Sequence, residues 1–411
     1  MSTKSKGVPG AGAGAGNAIL AETHALGQSI WYDNISRALI RTGGLRALVE
    51  QGVRGVTSNP TIFEKAIAGS SDYDEELRRL VADRRSAQEI YEELVLDDIR
   101  GGCDVLLPIF ASSGGVDGRI SLEVLPELAA NTEQTVAEGL RLAHLVGRPN
   151  VMIKVPATPE GIPAVRALTA QGVSVNVTLI FSLAQYQAVS DSYLLGLEDR
   201  VAAGGSLEGL ASVASFFVSR VDSACDKLLA GMEKSGNPDE VELATKLTGK
   251  IAIANAKLAY ELYQQTIATA RWAALDARGA RSQRLLWAST GTKDPRYPDT
   301  LYLDGLIGSD TVNTVPPATL KAYMDHGHPG PSLTRDLEEA HRQIEAFAAL
   351  GLDLDQVCQS LLADGVKSFD TSMATLMGVI VARRTTILEL AAGRPRDKSA
   401  PVVAGATAGR K

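Results

Sequence analysis

Cysteine is scarce in this chain. Its three residues of that type, Cys103, Cys225 and Cys358, are odd in number and far apart, which argues against a disulfide framework and offers no CxxC metal site. A reducing, cytoplasmic setting is the expectation that follows. No run approaches the roughly 20 apolar residues needed to span a bilayer. The nearest, Leu376 to Ala382, is short and reads as a buried helix stretch, so a membrane is not an expected partner. A basic stripe is also missing. With 41 Lys and Arg against 48 Asp and Glu the formal net charge is -7, and nucleic acid is not an expected partner either. His326 and His328 stand two residues apart in a loop of Gly and Pro, without the further ligands a metal site would need. The N-terminus carries Lys4 and Lys6, but Gly and Ala follow to Gly16 in place of an apolar core with a cleavage site. Residues 1–17 therefore read as a flexible tail and not as a signal peptide. Their GAGAGAG pattern follows no strand, which removes the basis for a phosphate loop.

What the chain does have is a 45% hydrophobic composition over 411 residues, enough for a sizeable core, and one apolar run with a lysine inside it. Asn150-Val151-Met152-Ile153-Lys154-Val155-Pro156 lies between a turn at Gly147-Arg148-Pro149 and the stop at Pro156, and reads as a buried strand. Alternation puts Val151, Ile153 and Val155 on one face and Met152 with Lys154 on the other. Burial disfavours an ammonium, so an enclosed lysine is a candidate nucleophile for imine chemistry. The competing reading is a lysine that snorkels out at a strand end or pairs with a carboxylate.

Seven further segments read as strands: Ser29 to Asp33, Gly55 to Asn59, Arg119 to Val124, Val173 to Ile180, Ser212 to Ser219, Arg284 to Thr290 and Thr311 to Val315. Helical periodicity separates them, with Leu39, Ile40, Leu45, Leu48 and Val49 predicting one amphipathic helix after the first strand. Eight strands alternating with helices predict an α/β fold, a (β/α)8 TIM barrel over 18–330. From Leu333 onward the periodicity is helical only, over Leu333 to Ala349, Leu354 to Leu362 and Phe369 to Leu390. This predicts C-terminal helices over 331–392 that pack on the barrel mouth. The Pro, Ala and Gly rich residues 393–411 read as a disordered tail.

In such a barrel chemistry gathers at the C-terminal ends of the strands. Each strand here has a polar residue late in its run: Asp33, Asn59, Glu123, Lys154, Asn176 with Thr178, Ser215, Ser289 and Asn313. Any one of them could be a cap or a loop-bonding group. Their recurrence favours a small-molecule site that binds hydroxyls, and two carboxylates beside one lysine are what proton transfer around an imine needs.

The segments Trp31-Tyr32-Asp33-Asn34-Ile35-Ser36-Arg37, Gly55 to Phe63, Gly118 to Val124, Ile153-Lys154-Val155-Pro156-Ala157-Thr158, Val175 to Ser182 and Ser215 to Asp222 resemble the signatures of the transaldolase family. The resemblance runs in order from about Ala18 to Leu390. It implies an enzyme of the pentose phosphate pathway that moves a dihydroxyacetone unit from sedoheptulose 7-phosphate or fructose 6-phosphate to erythrose 4-phosphate or glyceraldehyde 3-phosphate, with neither metal nor organic cofactor. By motif, Lys154 is then the imine-forming nucleophile and Asp33 the base for the C4 hydroxyl. Glu123, with a water held by Thr178, serves imine formation and hydrolysis. Asn59 and Asn176 match positions that hold hydroxyls of the three-carbon unit, while Ser215 and Arg220 match the substrate and phosphate end. One stretch departs from the shorter members of the family, which carry an arginine just after the seventh strand. Here Thr290-Gly291-Thr292-Lys293-Asp294 stands in that place, and Lys293 is the candidate second phosphate cation, a point charge without arginine's planar fork. Two alternatives stay open: a Schiff-base aldolase that works without an acceptor, and a sugar-phosphate-binding barrel without catalysis. The latter is expected to have lost Lys154, Asp33 or Glu123, and this chain keeps all three.

Overall fold

A computed structural model describes residues 16–234 and 236–391. The tails expected over 1–17 and 393–411 lie outside the described residues, Gly16 and Asn17 excepted. Eight parallel strands close a barrel in chain order: β1 (Gln28–Tyr32), β2 (Gly55–Val56), β3 (Arg119–Glu123), β4 (Val151–Pro156), β5 (Val175–Ile180), β6 (Ser212–Phe217), β7 (Arg284–Ala288) and β8 (Thr311–Val315), which pairs back with β1. Parallel neighbours need crossover connections, and the helices supply them while covering the outer face. The strands are accordingly buried on both faces. A (β/α)8 barrel with additional C-terminal helices is the observed architecture.

Three local expectations are corrected. The second strand stops at Val56, three residues early, because the Asn59 carbonyl accepts from the Ile62 N–H at 2.9 Å and caps the helix Pro60–Ala68, with Pro60 at its first position. The single helix expected after β1 is two, Arg37–Arg41 and Gly44–Gln51, broken where Gly43 takes a φ of 81°. The last two C-terminal segments are one continuous helix, Leu354–Ala391. Gly365, which breaks the apolar periodicity, does not break the helix. A Cβ there would stand 2.9 Å from Leu179 Cδ2 at the end of β5, so glycine lets the helix lie directly on the barrel.

The two ends of the barrel differ in chemistry. At the N-terminal end Asp117 accepts from Ser29 Oγ at 2.8 Å, Trp31 Nε1 at 3.3 Å and Arg284 Nη2 at 3.1 Å, tying β1 to β7. Just outside β1, the guanidinium of Arg37 is buried against the Tyr73 ring and donates from Nε to Asp98 Oδ1 at 2.9 Å, while Tyr73 donates its hydroxyl proton to Asp98 Oδ2 at 2.7 Å. Truncating Asp98 leaves Arg37 Nε and the phenol facing a cavity, with Asp97, 3.1 Å from Arg37 Nη2, as the remaining counter-charge. Asp98→Ala is expected to cost about 3 kcal/mol, read as a lowered midpoint of urea unfolding, and Tyr73→Phe about 1 kcal/mol.

Candidate active site

The C-terminal ends of the strands open on a cavity of about 630 Å³. Lys154 enters it from the middle of β4, its side chain 6% exposed. The register sets Glu123 of β3 directly opposite, and Lys154 Nζ donates to Glu123 Oε2 at 3.0 Å and to the Ser58 carbonyl at 3.2 Å. Snorkelling is thereby excluded, and pairing with a carboxylate is realised. Burial pushes the Glu123 carboxyl above its ordinary range, the ammonium beside it pulls it back, and the charge of Asp33 adds a smaller upward push.

Asp33 follows β1, its N–H bonded to the Val315 carbonyl of β8 at 2.9 Å. Its Oδ1 accepts from Thr57 Oγ1 at 2.7 Å, and that hydroxyl also meets Thr314 Oγ1 at 2.5 Å. Burial raises the Asp33 carboxyl from its ordinary value, opposed by the Thr57 hydrogen bond and by the charges of Lys154, Lys293 and Arg220. Glu123 thus bonds the lysine from outside the cavity lining, while Asp33 shares the cavity with the lysine and feels its charge.

The remaining expected residues divide by depth. Asn59, Thr178, Ser215, Arg220 and Lys293 line the cavity. With its carbonyl spent on the helix cap, Asn59 keeps its amide N–H groups for other partners. Thr178 Oγ1 has no hydrogen-bond partner among the described residues. Asn176 lies one step deeper, fully buried, donating to Ser121 Oγ at 2.9 Å and accepting from Ser215 Oγ at 2.6 Å. Asn313 does not face the cavity as its place at a strand end suggested. Its carbonyl accepts from Thr290 Oγ1 at 2.9 Å, and Thr314, one residue on, lines the wall instead.

Cations gather at one side. Arg220, in the first turn of the helix Ser219–Gly231, sits 5.2 Å from the centre of the Phe217 ring. Burial lowers the Lys293 ammonium, and the like charges of Arg220 and Lys65 lower it further. Among the described residues no carboxylate lies within ion-pair distance of these three cations. Their unpaired charge suits a dianionic group. Leu179 and Ser289, at the ends of β5 and β7, hold left-handed backbone at φ 60° and 56°, a strain of about 1–3 kcal/mol each that clusters at functional sites.

Sequence reasoning missed Thr57 and Thr314 in the wall, and also Lys65 from the helix Pro60–Ala68 and Ser368 with Phe369 from the helix Leu354–Ala391. Phe369 lies in the buried stripe Gly365, Phe369, Ser372, Leu376 and Ile380, a pattern that could have marked an inward-facing aromatic but not what it faces.

Comparison with known proteins agrees with this geometry. The profile of the family described as Transaldolase/Fructose-6-phosphate aldolase matches residues 30–380. A protein of Thiobacillus denitrificans named transaldolase is 51% identical over 356 residues, covering 86% of this chain and 97% of its own length. One of Frankia alni with the same name is 50% identical over 363 residues, covering 88% and 96%. Another, of Neisseria gonorrhoeae, is 47% identical over 363 residues, covering 88% and 99%. With a closed eight-stranded barrel, a buried lysine bonded to Glu123 in a cavity it shares with Asp33, and a family match over most of its length, this chain belongs to the transaldolase/fructose-6-phosphate aldolase family.

Proposed function

We propose that this enzyme is a transaldolase of the pentose phosphate pathway, moving a dihydroxyacetone unit from sedoheptulose 7-phosphate or fructose 6-phosphate to erythrose 4-phosphate or glyceraldehyde 3-phosphate through an imine on Lys154. The observation that carries the chemistry is the placement of Lys154 Nζ at the cavity wall and 3.0 Å from Glu123 Oε2. Lys154 gives its proton to Glu123 and attacks C2 of the ketose. Glu123 returns the proton as the carbinolamine loses water, aided by a water on the unpartnered Thr178 hydroxyl. The imine is the electron sink when the C3–C4 bond breaks, and Asp33 takes the C4 hydroxyl proton, the Thr57 hydrogen bond aiming its carboxylate. The aldose phosphate leaves, an acceptor aldehyde enters, and the steps run in reverse. Asn59 holds a hydroxyl of the three-carbon unit. Asn176 acts from beneath, through its spare N–H or by setting the Ser215 hydroxyl.

Arg220 and Lys293 hold the phosphate. Lys293→Met is expected to raise KM for fructose 6-phosphate roughly tenfold with little change in kcat, the size of one charge-assisted hydrogen bond. It should also move the acid limb of the pH profile to higher pH, because a cation that now lowers the Asp33 carboxyl is gone. Initial rates over a pH series check both.

Residues 331–391 are read as helices that close the barrel mouth, and the setting as cytoplasmic, which suits three free buried thiols. Among the described residues no helix is long and apolar enough to cross a membrane. Borohydride reduction in the presence of fructose 6-phosphate, followed by peptide mass mapping, tests the mechanism. The expected product is a dihydroxyacetone-sized adduct on the peptide holding Lys154, and no adduct there overturns it. Aldose phosphate release that proceeds equally with and without acceptor would favour the acceptor-independent aldolase.

A further inference from the structure

Between cleavage and transfer, a transaldolase must keep a three-carbon fragment on its lysine while an acceptor replaces the departed aldose. Water competes for that fragment. Protonation of the enamine carbon C3 regenerates the iminium, water adds to C2, the C2–N bond breaks with a proton passing to Nζ, and dihydroxyacetone leaves with the free lysine. Whether the enzyme transfers or hydrolyses therefore depends on what stands over Lys154 Nζ.

Phe369 stands there. Its ring centre lies 5.6 Å from Lys154 Nζ, and the side chain is 5% exposed, although it comes from a helix outside the barrel. The helix is pinned on both sides of that residue. One turn before, Gly365 allows contact with Leu179 at the end of β5. One turn after, Ser372 Oγ lies 2.8 Å from Thr61 Oγ1 on the helix that Asn59 caps. Three turns further, Arg383 donates to the Ala68 and Ser70 carbonyls and to Asp74. Nζ itself is bonded to Glu123 and the Ser58 carbonyl, and Lys154 lines the cavity. A closely packed ring at that distance from the nitrogen fills space that water would otherwise take.

We propose that Phe369 is a positioning residue whose ring, delivered by the C-terminal helix, covers the Lys154 adduct against water and so makes the enzyme retain the three-carbon unit. The proposal rests on the Schiff-base reading of Lys154. Phe369→Ala and Phe369→Leu are assayed with fructose 6-phosphate, with and without erythrose 4-phosphate, with glyceraldehyde 3-phosphate removed continuously by a coupling dehydrogenase. In Phe369→Ala the ratio of acceptor-free to acceptor-dependent turnover is expected to rise roughly tenfold, because the space the ring leaves admits water to the adduct. In Phe369→Leu, which refills most of the volume, it should stay within about twofold of the parent. A merely structural role would lower both activities together, so an unchanged ratio in Phe369→Ala overturns the proposal. A rise in Phe369→Leu as large as in Phe369→Ala overturns it too, because bulk over the adduct would then not matter. Borohydride trapping on the parent enzyme separates the two levels: an adduct on Lys154 with an unchanged ratio defeats only the role of Phe369, and no adduct defeats the underlying reading as well.

Discussion

Replacing Lys154 by Met or by Arg is expected to lower turnover by at least about four orders of magnitude, the scale seen when a covalent nucleophile is removed, and to abolish borohydride trapping in both variants. The pair of substitutions is chosen because the structure offers Lys154 a second occupation. It is the ion-pair partner of a buried carboxylate, with both side chains 6% exposed. Losing that charge leaves Glu123 uncompensated and pushes its carboxyl still further above the ordinary range, since the lysine is what now pulls it down. Lys154→Met therefore probes nucleophile and ion pair together. Lys154→Arg keeps a cation beside Glu123 but removes any amine able to add to a carbonyl, because the guanidinium stays protonated. Equal, near-complete loss in both variants, with circular dichroism unchanged, is the expected result. An arginine variant that keeps a tenth or more of the activity would assign Lys154 to the ion pair alone.

The lysine strand was legible because a charged residue in an apolar run of Val, Ile and Met conflicts with its surroundings, and such conflicts mark functional sites. The strand-end carboxylates were legible for the same reason, and the alternation of eight apolar runs with helical periodicity was enough for the barrel. What failed did so where local chemistry has two uses. Gly55-Val56-Thr57-Ser58-Asn59 has the β-branched start of a strand, yet Asn59 caps a helix and Thr57 serves Asp33, so pairing ends at Val56. Gly365 costs about 1 kcal/mol in a helix interior and reads as a break, but the close approach to Leu179 repays it. Lys65 and Phe369 carry no local sign of their places at the cavity, because each belongs to a helix whose own pattern is satisfied by ordinary amphipathic packing. Only the tertiary arrangement, with the helix Leu354–Ala391 lying against the helix Pro60–Ala68, brings both to the mouth. For Lys293 the sign was positional: the motif that follows β7 put a cation at the cavity wall, and no composition or periodicity would have done so.

Asp33→Asn is expected to separate two halves of the reaction that Lys154 substitutions destroy together. The amide is nearly isosteric and can still accept from Thr57 Oγ1, so the local geometry should survive. What it lacks is the basicity to take the C4 hydroxyl proton while the C3–C4 bond breaks, and loss of a positioned base costs about 10² to 10⁴ in rate. Imine formation at Lys154 should continue, because Glu123 bonds Nζ directly while Asp33 does not. The charge of Asp33 also raises the Glu123 carboxyl, so removing it should let that carboxyl ionise somewhat more readily. The variant is thus expected to accumulate the uncleaved ketose as a Schiff base. Reduction with borohydride should trap a six-carbon adduct from fructose 6-phosphate on the Lys154 peptide, where the parent gives the three-carbon one. The pH profile supplies the complementary check. In the parent, Asp33 must be ionised to act, burial raises its carboxyl, and the acid limb of kcat/KM should lie above the range of an exposed aspartate. That limb should vanish from the residual activity of Asp33→Asn. A variant that still yields only the three-carbon adduct at an undiminished rate would remove Asp33 from the cleavage step and shift the search for the base to the hydroxyls of Thr57 and Thr314 beside it.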